Sequence, residues 1–191
     1  MPKEIREETK TIENYLQVLQ EMLLSERNQT TAKTKTDLLR FTEKIKKQAD
    51  TLAKTRQMTV SVREIPENCL ENFVLDMEEE SIYRAWMNII ANSVEYGKEG
   101  GRIRLTVCIE EEQTIFVTED DGPGFSEEEL FRGTEQFYRG DKSRGQSNHY
   151  GMGLAIASRF VEQQGGRLCL ENSDAMGGAQ VTITILTKSG R

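Results

Sequence analysis

The sequence lacks a long hydrophobic run, so we expect neither a membrane-spanning segment nor a signal peptide, and no membrane contact. Its 191 residues include only 3 cysteines, odd in number and far apart, which excludes a disulfide framework and a zinc pattern and suits a reducing, cytoplasmic compartment. The 25 basic residues are outnumbered by 32 acidic ones, and the net charge of −7 argues against nucleic-acid binding. An acidic protein that binds an anionic ligand must build a local positive site.

Alternation and helical periodicity divide the chain into helices and strands. Helices are predicted over 38–55, 78–96 and 154–164, and strands over 58–63, 102–110, 113–119, 167–171 and 179–186. Because the strands pair mostly as hairpins, with long helices between them, we predict an α/β fold. It is a two-layer α/β sandwich, with a mixed, mostly antiparallel sheet covered by helices on one face. An N-terminal amphipathic helix around residues 12–23 packs either on this body or on a partner.

One stretch, Thr118 to Phe125, combines a carboxylate at a strand end with two closely spaced glycines. Asp120 follows the predicted strand, and Gly122 and Gly124 flank a proline. Because glycine has no Cβ, the backbone there can turn sharply and approach a ligand closely. Taken alone, the pattern is typical of a surface turn, so its interpretation depends on the rest of the chain.

Two asparagines share one face of the predicted helix over 78–96. Asn88 and Asn92 stand four residues apart, so their amides lie one turn apart. Asparagine is a poor residue for a helix interior, and its amide oxygen can serve Mg²⁺ beside water and substrate phosphates. Considered alone, two solvated surface amides are the simpler interpretation.

A second glycine motif opens the helix predicted over 154–164; it consists of Tyr150, Gly151, Met152, Gly153 and Leu154. Glycines before a helix expose backbone N–H groups, and the helix dipole favours an anion there, so the motif suits a phosphate. The alternative is a flexible linker at an ordinary helix start. The chain contains neither a P-loop pattern nor the dinucleotide-binding glycine pattern, so a nucleotide must bind in another manner.

The polar stretch over 125–150 is long and weakly periodic, which is typical of a functional loop or lid. Within it, Arg139, Lys142 and Arg144 supply local positive charge, and the planar guanidinium of arginine suits phosphate oxygens. A solvated loop with routine charges is the alternative. The aromatic pair just before Arg139 favours a docked loop instead.

In this order, the asparagine helix, the Asp-x-Gly-x-Gly turn, the aromatic–Arg loop and the Gly-x-Gly helix resemble the catalytic, ATP-binding domain of bacterial sensor histidine kinases. That domain belongs to a wider superfamily that includes DNA gyrase, a class of heat-shock chaperones and the mismatch-repair ATPases. The resemblance extends from about residue 36 to residue 187. The aromatic–Arg loop is similar to the histidine kinase branch in particular.

The resemblance implies that the chain uses ATP and Mg²⁺, and it gives a role to each matching residue near the base. Asp120 accepts a hydrogen bond from the adenine amino group. Gly122 and Gly124 shape that end of the pocket, and Tyr96 stacks near adenine.

The resemblance likewise implies the residues near the phosphates. Asn92 coordinates Mg²⁺, and Asn88 lines the same site. Arg139 reaches the terminal phosphates from the loop, and the backbone of residues 150–154 meets the phosphate chain. Asn88 and Arg139 are therefore the candidate catalytic residues. One departure is Glu95, which stands where many relatives carry lysine and would add negative charge near the phosphates.

The resemblance also divides the chain and implies its partners. Residues 1–30 match the end of the second helix of a dimerisation hairpin and a connector, and residues 31–191 match the ATP-binding domain. The implied function is transfer of the γ-phosphoryl group of Mg-ATP to a histidine on that hairpin, with a response regulator downstream. The implied parent is a homodimeric, membrane-anchored sensor.

The chain's one histidine, His149, lies in the lid and is not the expected acceptor. Three other functions remain open. One is a serine kinase of the anti-sigma-factor type, which uses a similar pocket. Another is a free-standing ATPase or chaperone module. The last is a nucleotide-gated interaction module without turnover.

Overall fold

A computed structural model of the chain describes residues 33–135, 138 and 152–187. The strands are β1 (Thr34–Asp37), β2 (Thr59–Ile65), β3 (Val74–Met77), β4 (Arg102–Ile109), β5 (Gln113–Asp120), β6 (Arg167–Asn172) and β7 (Ala179–Leu186). The helices are α1 (Leu38–Ala53), α2 (Glu79–Tyr96), α3 (Glu127–Arg132) and α4 (Gly153–Gln163). None of the helices in this part of the chain has the length and hydropathy needed to cross a membrane.

The main sheet has the order β2-β4-β5-β7-β6, with β2 parallel to β4 and every other pair antiparallel. Residues alternate along its strands, and one face carries buried side chains such as Leu105, Phe116 and Ile183, which join one core with those of α1, α2 and α4. The predicted two-layer α/β sandwich is therefore confirmed. The predicted N-terminal amphipathic helix lies outside the described residues.

Three aromatic rings at the centre of this core join α1, α2 and β5. The ring centroid of Trp86 lies 6.1 Å from that of Phe41 and 4.9 Å from that of Phe116. The buried indole Nε1 of Trp86 donates a hydrogen bond to Thr118 Oγ1 at 2.9 Å. This bond fixes α2 against the end of β5, two residues before Asp120.

The starts of α1 and α3 follow capping rules, and the sequence analysis missed the second of them. Asp37 accepts a hydrogen bond from Arg40 N at 3.1 Å and caps α1. Ser126 and Glu129 form a capping box that begins α3. The prediction of a loop beginning at residue 125 is therefore wrong over 127–132.

The segment that leads into the domain is bonded to both ends of the helical layer. β1 pairs with β3, which runs into the start of α2. Lys33 Nζ donates to the backbone oxygen of Gln164, the residue after α4, at 3.4 Å. The buried Gln164 side chain in turn exchanges two hydrogen bonds with Glu78, at 3.0 and 2.7 Å. These bonds join the start of α2 to the end of α4.

Candidate nucleotide-binding site

The carboxylate of Asp120, the last residue of β5, is buried and held from two sides. Gly122 N donates to its Oδ1 at 2.9 Å, and Ala179 N, the first residue of β7, donates to the same oxygen at 3.1 Å. Among the described residues, both hydrogen bonds to this carboxylate end on Oδ1. The group is thus fixed, and Oδ2 is left to meet a ligand.

Two glycines are required by close packing around this carboxylate. A Cβ added to Gly122 would lie 2.9 Å from Asp120 Oδ1 and 3.4 Å from the Cα of Gly97, so the end of α2 adjoins the loop after β5. A Cβ added to Gly178 would lie 2.5 Å from both Asp120 Oδ1 and Gly122 N. The sequence analysis found the first of these glycines and missed the second, which lies between the predicted strands over 167–171 and 179–186.

The loop after Gly122 is fixed to the end of β6. Gly124 has a φ of 69°, in the left-handed region that glycine adopts without strain. The next residue, Phe125, is held by the Asn172 side chain, whose Oδ1 accepts from Phe125 N at 2.7 Å and whose Nδ2 donates to Phe125 O at 2.9 Å. Asn172 carries no short-range motif that would have revealed this role.

Asn88 and Asn92 are half-buried on α2, and the start of α4 reaches the second of them. A Cβ added to Gly153 would lie 3.2 Å from Asn92 Oδ1 and 3.6 Å from its Nδ2. The glycine therefore provides room for the asparagine amide. Two stretches far apart in sequence, one predicted for the metal and one for the phosphates, come together here.

The start of α4 has no side-chain cap. Met152 occupies the N-cap position and makes no side-chain hydrogen bond to the first turn. Its own side chain is only 3% exposed and belongs to the core, and Leu154 packs against that core. Because the core takes up the Met152 side chain, its backbone is the part that can face an anion.

The remaining predicted residues lie at the rim or outside the described part of the chain. Tyr96 ends α2 and is 41% exposed. Its carbonyl oxygen would lie 3.6 Å from a Cβ on Gly122, which places the residue beside the Asp120 end of the site. Arg139, Tyr150, Gly151 and His149 lie outside the described residues.

A charged cluster on the opposite face of β5 was not anticipated from the sequence. Arg104 Nε and Nη2 donate to Glu119 Oε2 and Oε1 at 2.8 and 2.9 Å, and Ser173 Oγ donates to Oε1 at 2.6 Å. The hydrogen bonds from Arg104 hold the pKa of Glu119 below its usual range, although burial acts in the other direction. Glu119 is therefore a buried, ionised neighbour of Asp120.

The oxygen donors near Gly153 fit a magnesium ion better than a zinc ion. Within the described ranges, no group of three or more His, Cys, Asp or Glu side chains converges on a metal position. Asn88 and Asn92 offer neutral amide oxygens. Mg²⁺ keeps several waters and shares its remaining positions between few protein oxygens and substrate phosphates, which matches this donor set.

Comparison with known proteins shows which family the chain resembles. Residues 77–189 match the family described as "Histidine kinase-, DNA gyrase B-, and HSP90-like ATPase". The chain is 34% identical over 174 residues to Sensor histidine kinase SpaK of Bacillus subtilis, across 91% of this chain and 37% of that protein. It is 30% identical over 126 residues to Sensor histidine kinase WalK of the same species, across 64% of this chain and 20% of that protein. The chain thus spans well under half the length of these curated relatives.

Solved structures of sensor kinases share the fold. The mycobacterial sensor histidine kinase MprB gives a TM-score of 0.69 at 20% identity, across 81% of this chain and 98% of that one. Histidine kinase ThkA, solved in complex with the response regulator protein TrrA, gives 0.75 at 16% identity, across 96% of this chain and 50% of that one. Because the family match covers more than half of the chain and includes the residues around Asp120, Asn92 and Gly153, the chain belongs to the histidine kinase-, DNA gyrase B- and HSP90-like ATPases, as a catalytic ATP-binding domain of the histidine kinase type.

Proposed function

We propose that this chain binds Mg-ATP between α2, the end of β5 and the start of α4, and transfers the γ-phosphoryl group to a histidine on a dimerisation hairpin. The observation that carries the proposal is the Asp120 carboxylate, held on Oδ1 by Gly122 N and Ala179 N. A fixed acceptor of this kind pairs with an exocyclic amino group and opposes a carbonyl, so it selects adenine over guanine. Gly122 and Gly124 shape this end, and Tyr96 adjoins it.

The phosphate end is formed by α2 and α4. Asn92 would hold Mg²⁺ through its amide oxygen, and Asn88 lines the same position one turn away. The metal supplies charge neutralisation for the phosphates. The uncapped start of α4 offers backbone N–H groups to the phosphate chain, with Gly151 and Gly153 allowing a close approach. Arg139 acts on the transferred phosphoryl group together with Asn88.

The chain is a part of a larger signalling protein in this proposal. Residues 1–30 are the remnant of the second hairpin helix and the connector, and residues 31–191 are the ATP-binding domain. The parent is a homodimeric, membrane-anchored sensor with this domain in the cytoplasm. A response regulator receives the phosphoryl group, in keeping with the complex of ThkA and TrrA.

Phosphotransfer to a separate hairpin tests the activity. Incubated alone with labelled ATP and Mg²⁺, the chain should bind nucleotide and gain almost no acid-labile phosphohistidine. Supplied with a separate helical hairpin that carries the parent's histidine, it should phosphorylate that hairpin slowly, because the encounter has become bimolecular. Asp120→Ala should abolish the transfer.

Three outcomes would contradict this function. Robust phosphorylation of the isolated chain at His149 would make the lid itself the acceptor. A serine-phosphorylated partner would identify an anti-sigma-factor type of kinase. Tight ATP binding without transfer to any hairpin would identify a nucleotide-gated interaction module.

The metal assignment has its own test. Asn92→Ala should weaken ATP binding in Mg²⁺ far more than in EDTA, because only the metal-dependent part of the affinity uses the amide oxygen. Gln48→Ala, which removes an exposed helical amide from α1, is the matched control. Equal losses with and without Mg²⁺, measured by calorimetry, would remove Asn92 from the metal site.

A further inference from the structure

Glu119 and Asp120 are consecutive in β5, so their side chains lie on opposite faces of the sheet. Asp120 lies on the face covered by helices, and Glu119 on the other. Glu119 is nevertheless only 7% exposed. Arg104, directly opposite in β4, binds both of its carboxylate oxygens through two nitrogens, which is the strong, directional form of an ion pair.

Ser173 connects this ion pair to the turn between β6 and β7. Its hydroxyl donates to Glu119 Oε1 at 2.6 Å and accepts from Met176 N at 3.0 Å. Its backbone closes the same turn, because Ser173 N donates to Gly178 O at 2.8 Å and Gly177 N donates to Ser173 O at 2.7 Å. The position of the turn therefore depends on a hydroxyl that is directed at Glu119.

The far end of this turn contacts the Asp120 carboxylate. Ala179 N provides one of the two hydrogen bonds that hold Oδ1, and Gly178 packs so closely that an added Cβ would lie 2.5 Å from that oxygen. If the turn moved, Gly122 N would remain as the other donor to Oδ1. A carboxylate that accepts only one hydrogen bond can rotate. It can then turn away from a base carbonyl and bind water instead.

We propose that Arg104, Glu119 and Ser173 are positioning residues that set the preference of the site for a 6-aminopurine nucleotide, by fixing the β6–β7 turn and with it Ala179 N on Asp120. The proposal rests on the proposed function, since it requires that Asp120 reads the base. None of the three side chains needs to contact the nucleotide. The cluster acts from the opposite face of the sheet.

Base selectivity separates this role from a general contribution to stability. ATP and ITP carry the same ribose and phosphates, and they differ at position 6, where ATP has an amino donor and ITP a carbonyl acceptor. Calorimetry on one preparation gives both dissociation constants for the folded molecules, so a loss of folded protein leaves their ratio unchanged. A purely structural cluster would therefore not move the ratio.

The variants are Ser173→Ala, which removes the hydroxyl, and Glu119→Gln, which removes the charge. Both should reduce the ATP-over-ITP preference by about threefold to tenfold, the effect of one lost hydrogen bond in a buried site. Ser173→Thr keeps a hydroxyl and should keep the preference. Ser158 Oγ donates to Glu162 Oε1 at 2.8 Å on the exposed side of α4, so Ser158→Ala is the matched control and should change nothing.

Measurements on the wild type and on Asp120→Ala distinguish a failure of this inference from a failure of the proposed function. If the wild type prefers ATP and Asp120→Ala loses that preference, while Ser173→Ala and Glu119→Gln retain it, then the cluster does not position the acceptor and this inference is overturned. If the wild type binds ITP as tightly as ATP, the assignment of Asp120 to the base is wrong, and the inference falls with it.

Discussion

Replacing Gly153 with alanine should separate the stability of the domain from its affinity for Mg-ATP. Gly153 begins α4, and its φ is not positive, so alanine can adopt the same backbone conformation. Alanine is favoured over glycine in a helix interior by about 1 kcal/mol, and by less in the first turn. The free energy of unfolding should therefore stay the same or rise slightly.

The affinity should change in the opposite direction. The new Cβ would lie 3.2 Å from Asn92 Oδ1, closer than an ordinary van der Waals contact, so the amide must shift by a few tenths of an ångström. Metal–oxygen distances are defined to about 0.2 Å, so a shift of this size is enough to impair a metal ligand. We expect a loss of about tenfold in affinity for Mg-ATP, or about 1.4 kcal/mol, and a smaller loss for ATP in EDTA.

Two measurements decide the outcome. Urea denaturation without nucleotide gives the stability, and calorimetry with ATP in Mg²⁺ or EDTA gives the affinities. Ser158→Ala, which removes an exposed hydrogen bond to Glu162 on the same helix, is the control. If Gly153→Ala bound Mg-ATP as tightly as the wild type, the contact with Asn92 would have no bearing on the metal.

Two further predictions concern stability. Thr118→Val keeps the side-chain shape but leaves the buried Trp86 Nε1 without its acceptor, so the free energy of unfolding should fall by about 1–3 kcal/mol. Urea denaturation followed by the fluorescence of the chain's one tryptophan measures this, and an unchanged midpoint would contradict it. Arg104 lowers the pKa of Glu119, so their pairing stabilises the fold fully above the unfolded glutamate pKa of about 4.3 and is lost as the pH falls through the lower folded value. Between about pH 6 and pH 3 the urea midpoint should therefore fall less steeply in Glu119→Gln than in the wild type, and parallel curves would show that this pairing is not the cause.

Elements with a strong apolar stripe could be predicted from the sequence, and elements without one could not. In α2, Ile82, Trp86 and Ile90 recur at helical spacing, and all three are buried. In α3 no residue is buried, so hydrophobic periodicity gives no signal, although the Ser126 and Glu129 capping pattern was there to be read. Hydrophobic periodicity arises because a helix packs against a core, and a short surface helix has no such packing.

The residues of the candidate site also differ in whether the sequence predicts them. Asp120 and Asn92 belong to short patterns whose chemistry is local, so the sequence identifies them. The bond between Glu119 and Ser173 joins residues 54 positions apart and depends on the register of β4 on β5 and on the path of a turn. No local pattern records that register, so the cluster could be recognised only once the strands were paired.

The hydrogen bonds of residues 33–37 connect the segment that enters the domain with β3, ahead of α2, and with the end of α4. β1 is paired with β3 ahead of α2, which carries Asn92, while Lys33 is bonded to Gln164 at the end of α4, which begins at Gly153. Tension or rotation applied to the chain before Lys33 therefore loads both helices whose separation sets the contact between Asn92 and Gly153. We expect occupancy of the pocket and strain in residues 33–37 to be thermodynamically linked, each changing the free energy of the other by the same amount.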